Sequence, residues 1–469
     1  MNRYLFVGPS LPDAESVVPG GVRLLPPIAG GDVLRLPLES GDVVGIIDGY
    51  FHHVPAVRHK ELLHILAHGV RVVGGASIGA LRAAELDVFG MEGVGQIYAD
   101  FRDGVIDGDD EVALMHAPSD AGYRPHSVPL VDVRATLAAA EDAGVCDRNT
   151  RLTLIDALSS LSYAKRTYAH MIAIGHKLGL RTCDVTAVES FIERYAVNQK
   201  RADALLVVQS IMHDAPDCAA PAVGAFELNE TIFLYSWRLE SNRSQVHIDG
   251  EDVDVSDLAA LRVLQLFAHD YAAFYRRWAL RWIVEECERD CGSSSVGDDP
   301  RELVNRAIDH GIHRGLYADP AGESGKDVAW LSAWTTEEEL RSCDVDELLA
   351  HFLVRSYRVA PGIVPDEPAL AQARRCTVFR HATQAACLSD LMVTELQQRY
   401  AHYHPADLDE TRIAEWLAQR WRVPVDGLEL AAFERGLNGR AGLIAAARPL
   451  YVFAKYNPTL VDLLIEETL

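Results

Sequence analysis

Gly75-Ala76-Ser77-Ile78-Gly79 has the G-x-S-x-G spacing of a nucleophile elbow. The chemistry such a turn serves is acyl transfer. A serine between strand and helix stands clear of the sheet, and the glycines permit close backbone approach. The free N–H groups of the following helix face a developing oxyanion. Here those donors would lie near Ile78 and Gly79. The plainer reading of the same residues is a packing turn in which Ser77 caps a helix.

A serine nucleophile needs a base, and the lysine usage offers one. The chain has only six lysines, at positions 60, 165, 177, 200, 326 and 455, and uses arginine elsewhere. Lys60 is the only lysine among the first 164 residues. A desolvated lysine can lose its proton and an arginine effectively cannot. A neutral lysine beside a serine is the Ser-Lys variant of the catalytic triad. The plain alternative is that Lys60 is an exposed helix residue. His59 and His116 are secondary candidate bases.

The elements that must position these groups can be read from hydrophobic patterning. Residues 3–7 and Val43–Ile47 are short apolar runs, and Val33–Leu36 is a further candidate strand. Pro55 opens an amphipathic helix carrying Lys60, Val70–Gly74 is another buried strand, and Ser77–Leu86 is a helix. Apolar strands alternating with helices predict an α/β domain, a parallel sheet with helices on its faces. Sites in such sheets lie at the carboxyl ends of the strands. Asp48 and Ser77 both fall there and are expected to face one another.

The acidic run Asp103–Glu111 resembles a metal loop at first sight but lacks the twelve-residue calcium pattern. A solvated turn, or carboxylates that orient Lys60 or Arg82, are the other readings. The net charge of −24 argues against nucleic-acid binding. No apolar run reaches the roughly 20 residues of a membrane helix, and the N-terminus does not read as a signal peptide, so a cytoplasmic location is expected. The eight scattered cysteines read as free thiols. Cys287 and Cys291 share a helix face, but no second pair completes a zinc site.

Past about residue 130 the pattern is helical to the end, so a large, mostly α-helical region follows the core. The expected division is a core over 1–135, a helical region over 136–291 and a second over 301–469. A hairpin is expected near 246–255, around Asp249-Gly250, and a Gly/Ser linker at 292–300.

The first ~135 residues resemble the core of the TfuA-like family. The resemblance rests on Val7-Gly8-Pro9-Ser10-Leu11-Pro12, on Ile46-Ile47-Asp48-Gly49-Tyr50-Phe51, and on Val54-Pro55-Ala56-Val57-Arg58-His59-Lys60-Glu61. It continues through Gly75–Leu86, Gly90-Met91 and Asp109-Asp110-Glu111-Val112-Ala113, in one order. What the resemblance implies is a partner of YcaO-type enzymes in backbone thioamidation of a ribosomal precursor peptide. The protein would hydrolyse the thiocarboxylate of a ThiS-like sulfur carrier and aid substrate engagement. The implied Ser-Lys centre maps onto Ser77 and Lys60. Arg82, one turn beyond Ser77, is a candidate anion-binding group. Asp48, His59, Glu61, Gly75, Asp109, Asp110 and His116 are expected in support. No cofactor or metal is implied for this chain; ATP and magnesium belong to the YcaO partner. Two other readings remain. A patatin-like Ser-Asp hydrolase would use Asp48, Asp103 or Asp107, and an adaptor would use Ser77 only structurally.

Overall fold

The computed structural model describes residues 1–50, 54–213, 226–248, 250–291, 299–319, 329–356 and 366–464. Phe51, Cys218 and most of the expected linker at 292–300 lie outside them, as do the side chains of Cys287 and Cys291. The chain divides into two compact units, Met1–Glu230 and Thr231–Leu469.

The first unit is built on a five-stranded, fully parallel sheet. Its strands are β1 (Arg3–Phe6), β2 (Val22–Leu25), β3 (Val43–Ile46), β4 (Arg71–Gly74) and β5 (Glu92–Gly93), in the order β2-β1-β3-β4-β5. Alternate residues feed two apolar layers. Tyr4, Phe6, Val44, Ile46 and Val72 pack on one face with the helix His59–Ala67 and the helix Ile78–Leu86. Leu5, Val7, Val43, Ile47 and Val73 pack on the other against Val207, Val208 and Ile211 of the helix Gln199–Met212. Burial on both faces is why these strands read as continuous apolar runs.

Val33–Leu36, expected as a strand, is instead a helical turn over Asp32–Arg35, held by the Asp32 carboxylate accepting from the Ala29 N–H at 2.7 Å. The edge strand is Val22–Leu25, whose half-buried side chains leave a weak period-2 signal.

The first unit runs well past residue 135. Helices Leu130–Asp142, Arg148–Ser159, Tyr168–Lys177 and Thr182–Tyr195 form their own apolar cluster. The chain then returns as Gln199–Met212 to cover the open face of β3 and β4. Arg71 at the start of β4 fixes that helix's C-terminal end, donating to the carbonyls of Ser210 and His213 while paired with Glu92. A cation there suits the negative end of the helix dipole.

Among the described residues the second unit is helical apart from the hairpin β6 (Arg243–Ile248) and β7 (Glu251–Ser256), which pair antiparallel. Its apolar core is one continuous cluster, drawn in part from the helices Asp257–Phe267, Val378–Arg399 and Gly439–Tyr456. A charged knot ties three segments. Arg355, 2% exposed, donates to both Glu339 and Glu434, and His351 lies 3.3 Å from Glu434. Glu339, His351 and Glu434 are close enough to suggest a cation site, but Arg355 already occupies the space between the carboxylates. Among the described residues no helix is long and apolar enough to cross a membrane.

Burial pushes Glu339 up, but Arg355 and the Thr336 N–H outweigh it and hold the carboxyl at about 2. The stabilisation from this group is therefore complete above the ordinary 4.5 and is lost as pH falls toward 2. Arg355→Met leaves two carboxylates in the knot uncompensated, at an expected cost of about 3–5 kcal/mol. Thermal unfolding at pH 7 and pH 3 checks both points, and the gap between wild type and variant should narrow in acid.

Candidate active site

The order β2-β1-β3-β4-β5 places a topological switch point between β1 and β3, where chains leave the sheet in opposite directions and a crevice opens. The loop after β1 and the loop after β3 meet there through one carboxylate. Asp48, 2% exposed, accepts from the Gly8 N–H at 3.0 Å and the Ser10 N–H at 2.9 Å on Oδ2, and from Ser10 Oγ at 2.6 Å on Oδ1.

Ser77 comes from the next strand over. Strand β4 ends at Gly74, and the chain turns through Ala76 at φ +67° before the helix Ile78–Leu86 begins. A left-handed alanine costs about 1 kcal/mol, so the strain of the turn sits one residue before the serine. Ser77 occupies the helix N-cap position, yet its side chain makes no capping hydrogen bond. The capping role expected on the plainer reading is therefore not taken up. Ser77 is 7% exposed and lines a cavity of about 180 Å³ together with Asp48, Gly49, Tyr50, Ile78, Asp109, His116, Tyr163 and Lys200. Ser77 and Asp48 thus meet in one cavity, as their strand-end positions predicted.

The lysine of this cavity is Lys200, not Lys60. Lys60 is half-buried, and its Nζ donates to the Asn229 carbonyl at 2.7 Å, outside the cavity lining. Lys200 is 2% exposed; its Nζ donates to the Val112 carbonyl at 2.9 Å and lies 3.8 Å from Asp48 Oδ1. It sits in the first turn of the helix Gln199–Met212, where the positive end of the dipole disfavours a charge. Burial pushes the Lys200 ammonium down, against the pull of Asp48 and Asp132. Asp132 accepts from the Lys200 backbone N–H at 3.0 Å, and burial pushes its carboxyl up to about 6. The lysine count of the chain applied to Lys200 as much as to Lys60. A lysine at a helix start is also locally unfavourable, and that was the sequence signal for it.

One of the two expected oxyanion donors is already committed. The Gly79 N–H is engaged, donating to the Ile47 carbonyl at 3.3 Å. The N–H groups of Ile78 and Gly49 have no acceptor among the described residues. Both residues line the cavity, and they touch: a Cβ on Gly49 would lie 2.6 Å from Ile78 Cγ2. The residue after the nucleophile and a residue after a neighbouring strand are the usual pair of oxyanion donors in such turns.

Arg82 is not in the cavity. It pairs with Glu85 at 2.6 Å and donates to the Val57 carbonyl at 3.1 Å, and His59 joins the same Glu85 at 2.8 Å. Glu61 is buried between Arg58 and the Gly31 N–H, where burial pushes its carboxyl up against both partners. It braces the loop before the Asp32 turn and has no part in the cavity lining. Gly75 lies under Val207, so a side chain there would displace the helix that carries Lys200. His116 does line the cavity. Its Nδ1 donates to the Ala117 carbonyl at 2.7 Å, which leaves Nε2 as the proton-accepting nitrogen of the neutral ring.

Three carboxylates of the acidic run are taken up by arginines. Asp103 pairs with Arg102, Asp110 with the buried Arg166, and Glu111 with Arg134 at 2.7 Å. Neither Lys60 nor Arg82 is their partner, and only Asp109 of the run lines the cavity.

Gly79 sets how closely the serine turn can dock. A Cβ there would lie 1.8 Å from the Ile46 carbonyl oxygen. Gly79→Ala is expected to cost about 4 kcal/mol or more, because backbone must move. A thermal melt of the variant against wild type measures it.

Residues 48–167 match the family model described as TfuA-like protein. No curated protein matches the chain. The matched span contains Asp48, Ser77, His116 and Tyr163, while Lys200 lies beyond its end. Within the first unit, residues 48–167 are thus similar to TfuA-like protein.

Proposed function

We propose that this protein works with a YcaO-type enzyme in peptide backbone thioamidation and releases sulfide from a thiocarboxylated, ThiS-like carrier. The TfuA-like segment supports the association with thioamidation. The observation that carries the hydrolytic reading is a serine whose side chain makes no capping hydrogen bond, in the same small cavity as a buried lysine.

Lys200, in its unprotonated form, accepts the Ser77 Oγ proton as Oγ attacks the thiocarboxyl carbon. The ammonium so formed offsets the charge that the anionic thioacid brings, the role expected of Arg82. The N–H groups of Ile78 and Gly49 hold the oxyanion. The Lys200 ammonium gives that proton to the departing sulfur as the C–S bond breaks, so hydrosulfide leaves, Lys200 is neutral again, and the carrier's carboxyl carbon is esterified to Ser77. Water then cleaves the ester, giving the carrier carboxylate and free Ser77. A cavity of about 180 Å³ admits a chain terminus rather than a folded surface. A Ser77–Asp48 dyad has less support, because both Asp48 oxygens are already engaged by Gly8 and Ser10.

Single-turnover hydrosulfide release from a thiocarboxylated carrier, without YcaO present, tests the reading. Ser77→Ala and Lys200→Met should each lose about 10³-fold or more. Lys60→Met should stay within about threefold, as expected of a residue outside the site. No release by wild type would remove the hydrolytic role and leave the adaptor. Loss in Lys60→Met with retention in Lys200→Met would return the base to Lys60.

A further inference from the structure

Asp48 is held by three donors from the loop after β1 and is also the acid closest to the Lys200 ammonium. We propose that Asp48 is a positioning residue that sets the proton affinity of Lys200, and that Ser10 tunes it by sharing the same carboxylate oxygen. This rests on the Ser77–Lys200 reading of the site and adds its regulation.

The geometry gives the sign. Lys200 faces Asp48, in the loop after β3, at 3.8 Å, and Asp132 of the helix Leu130–Asp142. The Val112 carbonyl accepts from its Nζ. Asp203, one turn along its own helix and buried, is engaged by the Ile97 N–H and Gln199. The remaining titratable groups that line the cavity are Tyr50, Asp109, His116 and Tyr163. Burial and the helix N-terminus favour the neutral amine; Asp48 and Asp132 favour the ammonium. An amine so balanced changes charge when a single neighbouring charge changes. Ser10 Oγ donates to Oδ1, the oxygen nearest Lys200, and draws negative charge away from it.

Only six lysines need be resolved. ¹³Cε resonances of the full chain, with Lys200→Arg as the assignment control, report the Lys200 midpoint directly and without substrate. Asp48→Asn keeps an oxygen for the loop N–H groups and removes the charge. It should lower the Lys200 midpoint by about one to three pH units. Ser10→Ala leaves Asp48 intact and should raise the midpoint. If Asp48→Asn does not fold, Ser10→Ala still decides, and an unmoved midpoint in either folded variant overturns the proposal. In the hydrosulfide assay the acid limb of the kcat/KM profile should follow the midpoint downward in Asp48→Asn. Activity lost at every pH, with the midpoint unmoved, would make Asp48 itself the proton acceptor. Midpoints that move in a protein that releases no sulfide would leave this coupling standing and remove the hydrolytic reading instead.

Discussion

The site depends on the burial of one carboxylate. Asp48 sits where β1 and β3 diverge, and its two oxygens serve two backbone N–H groups, one hydroxyl and one ammonium. A charge removed from water is tolerated only when such partners replace the solvent, and once replaced they are held to one geometry. The loop after β1, the end of β3 and the start of the helix Gln199–Met212 are fixed relative to one another by that requirement. Each lends the cavity part of its lining: Pro9, Gly49 and Lys200.

The second constraint is steric. The helix that follows Ser77 lies so close to β3 that only a glycine fits at position 79, with the Ile46 carbonyl against it. That approach takes the Gly79 N–H out of the site and gives it to Ile47, leaving Ile78 as the donor beside the serine. Close packing thus decides which backbone N–H beside the serine is committed and which is not. The strain of the turn is displaced to Ala76, so Ser77 itself needs no left-handed backbone.

The helices of residues 130–212 complete the first unit chemically as well as structurally. Asp132 from the first of them meets the backbone of Lys200 from the last. Arg134 and Arg166 anchor the acidic run, whose neighbour Val112 supplies the carbonyl under the Lys200 ammonium. The arginines paired with Asp110 and Glu111 therefore hold the floor on which the amine rests. The family-matched span ends at residue 167, but the cavity needs the chain to continue to Lys200.

The sequence by itself determined the parallel sheet, because strands buried on both faces must be continuously apolar and are bracketed by helices. It determined the serine turn, because strand, glycines and helix are contiguous, and it brought Asp48 to the same end of the sheet. The hairpin at 243–256 was equally legible from its alternation around Asp249-Gly250. The strand at 22–25 was not, since an edge strand with half-buried residues carries little periodicity. The choice of lysine was a tertiary decision. Lys60 is 17 positions from Ser77 along the chain and faces Asn229, whereas Lys200 is 123 positions away and shares its cavity. The commitments of Arg82, Asp110 and Glu111 were likewise open, because a charged side chain reaches whichever partner the packed elements bring near. Local pattern fixes what a residue's backbone becomes. Only the crossing of distant elements fixes which charges are buried together, and here that pairing makes the site.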